Sequence, residues 1–332
     1  MMNAAFDVLG IGNAIVDVLA HADDQFLTTN SIEKGTMSLI DTARADELYA
    51  AMAPAVEISG GSAANTMVGI ASLGGSAAYI GKVKDDQLGA VFAHDIAAAG
   101  VSYDTAKAVS GDPTARCLIL VTPDAERSMS TYLGASATLG PDEVDEGQVA
   151  SAAITYLEGY LFDPAPAKEA FYKAANAAHN AGRKVALTLS DSFCVDRYRD
   201  EFLHLIETHV DILFANEDEL KSLYQTDSFD DGLQALRNHC PMAGLTRSEH
   251  GSVILWRDEV HVVEAHPVDK LVDTTGAGDQ YAAGFLYGLA RGMDPKTCGQ
   301  LGSLGAAEVI SHFGARPEAD LKALAKEAGL LA

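Results

Sequence analysis

A glycine-rich segment that ends in a carboxylate is the strongest candidate for a catalytic site in this chain. It covers residues 272–279, Val-Asp-Thr-Thr-Gly-Ala-Gly-Asp, and precedes a helix rich in small residues. The amides of Gly276, Ala277 and Gly278 can converge on an anion, because the first amides of a helix lack carbonyl partners and the helix dipole favours negative charge there. Asp279 either caps this helix or acts as a general base that takes a proton from an alcohol during phosphoryl transfer.

A second glycine segment, Gly10-Ile11-Gly12-Asn13-Ala14-Ile15-Val16-Asp17, follows the first predicted strand. It is similar to the start of a dinucleotide fingerprint, but Ile15 stands where the third glycine is required, which disfavours a nicotinamide dehydrogenase. Asn13 and Asp17 instead offer groups that can bind the hydroxyls of a polyol. The alternative for Asp17 is a solvated residue at the end of a strand.

The third segment, residues 60–65, is Gly-Gly-Ser-Ala-Ala-Asn and leads into a predicted helix. Gly61 permits the backbone to approach a ligand closely, and the Asn65 amide offers both a donor and an acceptor to a hydroxyl. The alternative is an ordinary loop in which Ser62 is the N-cap of the helix.

Other common catalytic motifs are incomplete or missing. Gly81-Lys82 does not form a P-loop, because Ser76 replaces the first glycine of the motif and Val83 replaces its Ser or Thr. The sequence contains no GxSxG elbow and no HExxH helix, so a hydrolase or zinc peptidase is disfavoured. The four cysteines have no CxxC spacing, which predicts reduced thiols in a cytoplasmic protein.

The chain has 332 residues, in which 23 Lys and Arg stand against 47 Asp and Glu, a formal net charge of −24. This charge repels nucleic acids and anionic membranes, so we expect neither as a partner. An anionic substrate would need a local group of donors. We also expect no membrane span, because no apolar run approaches the roughly 18 residues that one requires.

Short β-rich runs alternate with Ala-rich amphipathic stretches, a pattern typical of βαβ units around a parallel sheet. Residues 16–40 and 114–132 lack long helices, and the second stretch predicts a hairpin of 116–121 and 127–132 with a turn at 122–125. These inserted strands form either a lid or an extension of one sheet edge. The other predicted strands are Phe6–Gly10, Ala77–Ile80, Thr155–Leu157, Val185–Leu189, Ile212–Ala215, Gly244–Thr246 and Ser252–Leu255, and the predicted helices are Asn65–Ser72, Gln87–Ala99, Ala165–Ala181, Glu217–Tyr224, Leu233–His239, Asp279–Arg291 and Pro295–His312.

Five motifs in order resemble the PfkB or ribokinase family of carbohydrate and nucleoside kinases, from Phe6 to about Pro317. The resemblance implies a ribokinase-like α/β fold, a three-layer αβα doubly wound sheet, as a single domain over residues 1–332. It also implies a small discontinuous β lid from segments of about 13–42 and 112–134. The motifs are GIGNAIVD at 10–17, GGSAAN at 60–65, NEDE at 216–219, Leu245-Thr246-Arg247 with Gly251, and DTTGAGD at 273–279.

The resemblance implies an ATP- and Mg²⁺-dependent kinase with Asp279 as general base. Asn216 and Glu219 correspond to a pair that organises Mg²⁺ and phosphate through water, and Arg127 to an arginine that reaches the phosphates. Backbone amides, the metal and Arg127 would supply the local positive charge that a nucleotide needs in an acidic protein. The remaining implied roles are the anion hole at Gly276, Ala277 and Gly278; substrate hydroxyls at Asn13, Asp17, Gly61, Ser62 and Asn65; ATP at Thr246 and Gly251; and a monovalent cation such as K⁺ at Asp273 and Thr275 with the loop 311–314.

Within the family, several details resemble the adenosine kinases most, which implies transfer to the 5′-hydroxyl of adenosine. Residues 114–117, Thr-Ala-Arg-Cys, are similar to a lid segment of those enzymes, and they place Cys117 at the substrate. The run DILFANEDE at 211–219 and the GIGN opening are also similar.

Two residues keep a kinase for ribose, fructose or a related sugar as the alternative. Glu158 stands where ribokinase-type enzymes direct a glutamate towards the sugar, and Ser303 stands where Asn or His often contacts the adenine of ATP. Their alternatives are a buried, hydrogen-bonded glutamate and a serine on a helix surface. A non-catalytic nucleoside or sugar sensor on the same scaffold is a further alternative, and the chain is expected to be a monomer or a homodimer.

Overall fold

The computed structural model describes residues 4–124 and 126–332, whose strands form two separate sheets. The strands are β1 (Phe6–Ile11), β2 (Ile15–His21), β3 (Met37–Leu39), β4 (Val56–Gly60), β5 (Ala77–Ile80), β6 (Val101–Tyr103), β7 (Ala115–Val121), β8 (Arg127–Tyr132), β9 (Ala152–Glu158), β10 (Lys184–Thr188), β11 (Ile212–Asn216), β12 (Met242–Thr246), β13 (Ser252–Trp256) and β14 (Glu259–Val263). The α-helices are α1 (Asp24–Thr29), α2 (Thr42–Ala51), α3 (Ser62–Ser72), α4 (Gln87–Ala98), α5 (Glu146–Ser151), α6 (Ala165–Asn180), α7 (Ser192–His209), α8 (Glu217–Tyr224), α9 (Phe229–Leu236), α10 (Ala277–Ala290), α11 (Pro295–Val309) and α12 (Leu321–Glu327).

The large sheet has the strand order β14-β13-β12-β11-β10-β9-β1-β5-β6. Strands β12 to β6 in this order run parallel, whereas β13 and β14 are antiparallel at one edge. Alternate residues of β5 belong to two different apolar clusters, Ala78 to one and Tyr79 to the other. The first cluster includes Phe171 of α6 and the second Phe285 of α10. Helices therefore cover both faces, as a mainly parallel sheet requires, and the predicted three-layer α/β architecture is confirmed.

The small sheet has the order β3-β8-β7-β2-β4 and shares no strand with the large one. Its centre contains the predicted hairpin, in which β7 and β8 pair antiparallel from Arg116 with Tyr132 to Val121 with Arg127. The turn predicted at 122–125 includes Ala125, which lies outside the described residues. The inserted strands thus form a sheet of their own. The first lid segment, predicted at about 13–42, ends too early. The fifth strand of the small sheet, β4, covers Val56–Gly60 and lies beyond that end.

The sequence analysis missed the strands β4, β6 and β14 and the helices α2, α5, α7 and α12. The periodicity of α7 is interrupted by a kink at Tyr198, whose φ of −129° is not helical. Strand β14 is mostly exposed at an edge and therefore lacks the apolar run of the central strands. Within the described ranges, no helix is both long and apolar enough to cross a bilayer.

Candidate active site

The candidate site forms where the carboxyl ends of β1 and β9 meet the N-termini of α3 and α10. Glu158, the last residue of β9, accepts hydrogen bonds from the backbone amides of Asn13 (3.1 Å) and Ala63 (2.8 Å). Asp279, in the first turn of α10, accepts a hydrogen bond from the hydroxyl of Ser62, the first residue of α3. The three glycine-containing segments, 10–17, 60–65 and 272–279, are therefore adjacent. The two residues of the Ser62–Asp279 contact are 217 positions apart in the sequence.

Asp279 is held by side chains of α3 and does not cap its own helix. Its Oδ1 accepts from the Ser62 hydroxyl at 2.6 Å, and its Oδ2 accepts from Nδ2 of Asn65 at 3.3 Å. The N-cap of α10 is Gly276, and no side chain caps this end. Burial raises the pKa of Asp279 to about 6, while the two hydrogen bonds oppose that rise. The carboxylate is therefore ionised at neutral pH and can accept a proton.

The glycine loop before α10 contains one constrained and one open position. Gly276 has a φ of +78°, and a Cβ there would lie 2.6 Å from backbone atoms of Ala315. A Cβ on Gly278 would meet nothing within 4 Å. The amide of Ala277, one of the three predicted anion-hole donors, is engaged by the carbonyl of Thr274 at 3.2 Å. The space at Gly278 is therefore the open side of the loop, where an anion can approach first-turn amides.

Asp17 lies in the small sheet and faces the glycines that precede α3. A Cβ on Gly60 would lie 2.4 Å from Oδ2 of Asp17, so the glycine is needed for this approach. Gly61 has a φ of +98°, and a Cβ there would lie 2.1 Å from the carbonyl oxygen of Asn13. Burial raises the pKa of Asp17 to about 6, against the opposing charges of Arg316 and Arg127.

Asn13 and Glu158, both predicted to bind substrate, are bonded to protein groups. Besides the backbone amides of Asn13 and Ala63, the Glu158 carboxylate accepts a hydrogen bond from Nδ2 of Asn13 at 2.8 Å. Glu158 is only 1% exposed. Oδ1 of Asn13 accepts from the hydroxyl of Ser136 at 2.9 Å. Burial raises the pKa of Glu158 to about 7 while its three hydrogen bonds oppose the shift. The pair therefore ties the end of β1 to β9 and to the start of α3.

Cys117 is next to Asp17, since β7 pairs with β2 in the register Asp17 to Cys117. Its sulfur accepts a hydrogen bond from the hydroxyl of Thr131 at 3.2 Å. Burial raises the pKa of the thiol to about 12, so it stays protonated at neutral pH. Cys117 offers bulk and a weak polar contact at this place rather than a nucleophile.

Arg127, predicted to reach phosphates, forms a buried ion pair with Asp273. The same carboxylate accepts from the amide of Thr275 (3.0 Å), from its hydroxyl (2.7 Å) and from the amide of Gly314 (3.1 Å). The two residues predicted for a monovalent cation are therefore bonded to each other. The ion pair of Arg127 and Asp273 therefore joins β8 of the small sheet to the glycine loop that precedes α10.

Asn216 and Glu219 form a reciprocal capping box at the start of α8. Oδ1 of Asn216 accepts from the amide of Glu219 at 2.8 Å, and the two oxygens of Glu219 accept from the backbone and side-chain nitrogens of Asn216 at 3.0 and 2.7 Å. Burial raises the pKa of Glu219 to about 7. Among the described residues, no cluster of three or more His, Cys, Asp or Glu could hold a metal ion.

The predicted nucleotide residues lie near the antiparallel edge of the large sheet. Thr246 ends β12, and Gly251 has a φ of +78°, with its Cβ position 2.1 Å from the carbonyl oxygen of Val263. Ser303 donates to the carbonyl of Glu264 at 3.3 Å. Ser303 also lines a cavity of about 410 Å³ formed by residues 262–267 together with Lys296, Gln300, Ala328 and Leu330. This cavity lies beside the antiparallel edge of the large sheet, and Val263, which Gly251 approaches, is among the residues that line it.

The sequence analysis missed Arg316, Gln280, Tyr160 and Phe193. Nε of Arg316 donates to Oδ1 of Asn65 at 3.1 Å, and Nε2 of Gln280 donates to the carbonyl of Asn65 at 3.1 Å. Tyr160 and Phe193 follow β9 and β10 and are 38% and 65% exposed. The signal for the aromatics was their position just after the carboxyl end of a predicted strand. Arg316 had no comparable local signal.

Comparison with known proteins gives one family and relatives with different acceptors. Residues 36–321 match the pfkB family carbohydrate kinases. The crystal structure of a probable sugar kinase protein from Rhizobium etli CFN 42 is 53% identical, with a TM-score of 0.92, and the match covers 99% of this chain and 100% of that chain. The crystal structure of adenosine kinase from Sinorhizobium meliloti is also 53% identical, with a TM-score of 0.90 and coverage of 98% and 100%. Probable fructokinase-6 of Arabidopsis thaliana is 34% identical over 245 residues, which are 70% of this chain but only 63% of the plant protein.

Proposed function

Because the chain belongs to the PfkB family of carbohydrate kinases, we propose that it transfers the γ-phosphoryl group of ATP to the 5′-hydroxyl of adenosine, forming AMP and ADP. Family membership and the similar structures confirm the predicted ribokinase-like fold and a phosphotransferase with an alcohol acceptor. The identity of the acceptor and the role of each residue are the proposal.

The main support for this proposal is the hydrogen bond from the Ser62 hydroxyl to the Asp279 carboxylate. Oδ1 of Asp279 accepts from the Ser62 hydroxyl at 2.6 Å, which is the geometry that a substrate alcohol would need. The open position at Gly278 lies in the same turn of the helix and leaves room for a phosphoryl group. Phosphoryl transfer depends mainly on positioning and charge stabilisation, so a carboxylate with a pKa of about 6 is a sufficient base.

The pair of Asn216 and Glu219 at the start of α8 fits a hydrated Mg²⁺ ion, with Glu219 as its one carboxylate. Mg²⁺ usually keeps several waters and binds one or two carboxylates together with phosphates. Both oxygens of Glu219 already accept protein hydrogen bonds, so Glu219 would hold the ion through water. When bound, Mg²⁺ neutralises charge on the phosphates. Asp273 does not fit a K⁺ ligand in this arrangement, because donors surround its carboxylate, and K⁺ is not part of the proposal.

Two observations favour a nucleoside over a free sugar as acceptor. Glu158, the residue that suggested a sugar kinase, is buried and accepts three hydrogen bonds from Asn13 and Ala63. Tyr160, just after β9, leaves part of its ring exposed, and Phe193, near the start of α7, is more exposed but has the Arg197 guanidinium over its ring, 5.4 Å from the centroid. Aromatic faces stack on nucleobases, so an exposed ring at this place suits a nucleoside. The small sheet, which carries Asp17, would then cover the nucleoside and exclude water.

A sugar kinase is the second candidate, because the Rhizobium etli protein with 53% identity is described as a probable sugar kinase. An ATP-dependent turnover panel of adenosine, inosine, guanosine, ribose and fructose separates the two. We expect the highest kcat/KM for adenosine. A higher kcat/KM for fructose or ribose than for every nucleoside would contradict the proposed acceptor, and binding of these compounds without ADP formation would favour the sensor.

A further inference from the structure

Arg316 connects parts of the site that none of the sequence motifs links. It lies in the loop after α11, in Gly314-Ala315-Arg316-Pro317. Its Nε donates to Oδ1 of Asn65 at 3.1 Å, and its Nη1 donates to Oδ2 of Asp95 at 3.0 Å. The Arg316 side chain is only 16% exposed, and its Nη2 is buried with no hydrogen-bond partner among the described residues. A charged side chain is thus held at the site with both N–H groups of one buried nitrogen unpaired among the described residues.

The guanidinium of Arg316 determines which atom of the Asn65 amide faces Asp279. Guanidinium can only donate hydrogen bonds, so the amide oxygen of Asn65 must face Arg316. The amide nitrogen then donates to Oδ2 of Asp279 at 3.3 Å. In the reversed amide, the NH₂ group of Asn65 would face the N–H donor of Arg316, and its oxygen would face the carboxylate oxygen of Asp279. Arg316 therefore selects the orientation of Asn65 that stabilises the ionised base.

The same positive charge acts on Asp17. Burial raises the pKa of Asp17, and Arg316 is the largest opposing influence, followed by Arg127, whereas Asp279 adds to the rise. Cys117 is paired with Asp17 across β2 and β7. Its thiol is neutral in the pH range where Asp17 titrates, so it adds no charge beside that carboxylate. An ionised carboxylate accepts hydrogen bonds from two hydroxyls, while a protonated one loses part of that capacity. Arg316 thus favours the form of Asp17 that binds a diol.

Two further contacts fix the position of Arg316. Asp95 accepts from the backbone amide of Ser59 at 2.8 Å and from its hydroxyl, which connects the ion pair to β4 of the small sheet. Nε2 of Gln280, the residue after Asp279, donates to the carbonyls of both Asn65 (3.1 Å) and Ala315 (3.0 Å). The backbone before Arg316 is therefore tied to α3 and α10 as well as to the small sheet.

We propose that Arg316 is a positioning residue for the acceptor, which orients Asn65 towards Asp279 and, bonded through Asp95 to Ser59 beside Gly60, holds its positive charge near Asp17. This inference rests on the proposed roles of Asp279 and Asp17. It assigns a role to a residue outside every motif that defines the site.

The test compares Arg316→Gln with Arg316→Lys in the full-length protein. Gln can still donate to Asn65 but carries no charge, so we expect kcat/KM for adenosine to fall about tenfold, the scale of one lost buried charged contact, with KM for ATP unchanged. The acid limb of kcat/KM moves to higher pH, because Asp17 loses its main cationic neighbour. Arg316→Lys restores the charge and returns the acid limb towards that of the unmodified protein.

Three controls make the result decisive. Arg291→Gln breaks another arginine–aspartate pair, with Asp7 at 2.9 Å, and we expect no change in adenosine kinetics. Asp95→Asn removes a negative charge but keeps Arg316, so the acid limb does not move to higher pH, and this variant tests the charge argument if Arg316→Gln does not fold. An unchanged kcat/KM and acid limb in Arg316→Gln, or equal effects of Gln and Lys, would overturn the inference. Asp279→Asn distinguishes failure of the proposed function from failure of the inference about Arg316. Full turnover in that variant contradicts the proposed base, whatever the result at Arg316.

Discussion

Ser62 donates its hydroxyl hydrogen to Oδ1 of Asp279 across 2.6 Å, between the first turns of α3 and α10. The carboxylate therefore already holds an alcohol where we propose that the substrate alcohol reacts. A substrate hydroxyl must either displace Ser62 or share the carboxylate with it. This contact leads to two separate predictions, one about turnover and one about its pH dependence.

Asp279→Asn should remove most of kcat while leaving ligand binding and folding largely intact. The amide cannot accept a proton as the carboxylate does, and a positioned general base contributes about 100-fold to 10,000-fold. Steady-state rates with adenosine and ATP give the effect, and thermal unfolding checks the fold. Asp200→Asn, on the exposed surface of α7, is the matched control. Near-normal turnover in Asp279→Asn would contradict the assignment of the base.

Ser62→Ala should move the acid limb of kcat/KM to higher pH, because kcat/KM reports the pKa values of the free enzyme. Burial raises the pKa of Asp279 to about 6, and the hydrogen bond from Ser62 lowers it. Without that bond the pKa of Asp279 in the free enzyme rises further, so the base becomes protonated at a higher pH while kcat/KM at alkaline pH changes little. A pH–rate profile measures the shift, with Ser151→Ala as a control at a hydroxyl that bonds only a helix carbonyl in α5. An unmoved acid limb would show that Asp279 does not control it.

Asp17→Ala should weaken acceptor binding and leave ATP binding unchanged. Loss of a carboxylate that binds hydroxyl groups costs about tenfold or more in affinity, because the donors lose a charged acceptor. KM for adenosine and for ATP, measured separately, give the test. A rise confined to KM for ATP would place Asp17 at the wrong end of the site.

Gly276→Ala and Gly278→Ala should differ in their effect on the melting temperature, although the two residues are only two positions apart. At Gly276 a Cβ would lie 2.6 Å from Ala315, and the φ of +78° strains any side chain, so we expect a lower melting temperature. At Gly278 a Cβ meets nothing within 4 Å, so the melting temperature is unchanged or higher.

Activity then distinguishes an anion-binding loop from a purely structural one. In Gly278→Ala the methyl group would occupy the space proposed for the phosphoryl group, so KM for ATP rises or kcat falls in a stable protein. Full activity of this variant would contradict the proposed position of the phosphoryl group.

The local parts of this molecule could be predicted from sequence, because their signals lie within a few residues. The glycines before Asp279 predicted a helix N-terminus, and α10 begins at Ala277. The apolar runs predicted the central strands, and the two runs at 116–121 and 127–132 with a turn between them predicted the hairpin of β7 and β8. In each case the pattern and the structure that it predicts occupy the same short stretch.

The partners of the charged side chains could not be predicted, because they depend on contacts across the fold. Arg127 pairs with Asp273, 146 residues away, and Arg316 bonds Asn65 across 251 residues. Glu158 has a sequence position typical of a sugar ligand, yet its oxygens are taken by Asn13 and Ala63 from two other elements. Sequence can predict that such groups are polar and near the site, but the topology determines what each one bonds.

Arg127→Met and Asp273→Asn should each destabilise the protein, and the double variant should lose less than the sum. The two side chains are only 8% and 7% exposed, and removal of one partner from a buried pair leaves an uncompensated charge, at a cost of about 3–5 kcal/mol. Urea unfolding of the four proteins gives the coupling energy as a double-mutant cycle. The more solvent-accessible pair of Arg44 and Glu47, with side chains 28% and 65% exposed, serves as the control, where the same cycle should give about 0–1 kcal/mol. Additive losses at Arg127 and Asp273 would mean that this ion pair does not hold the small sheet to the glycine loop.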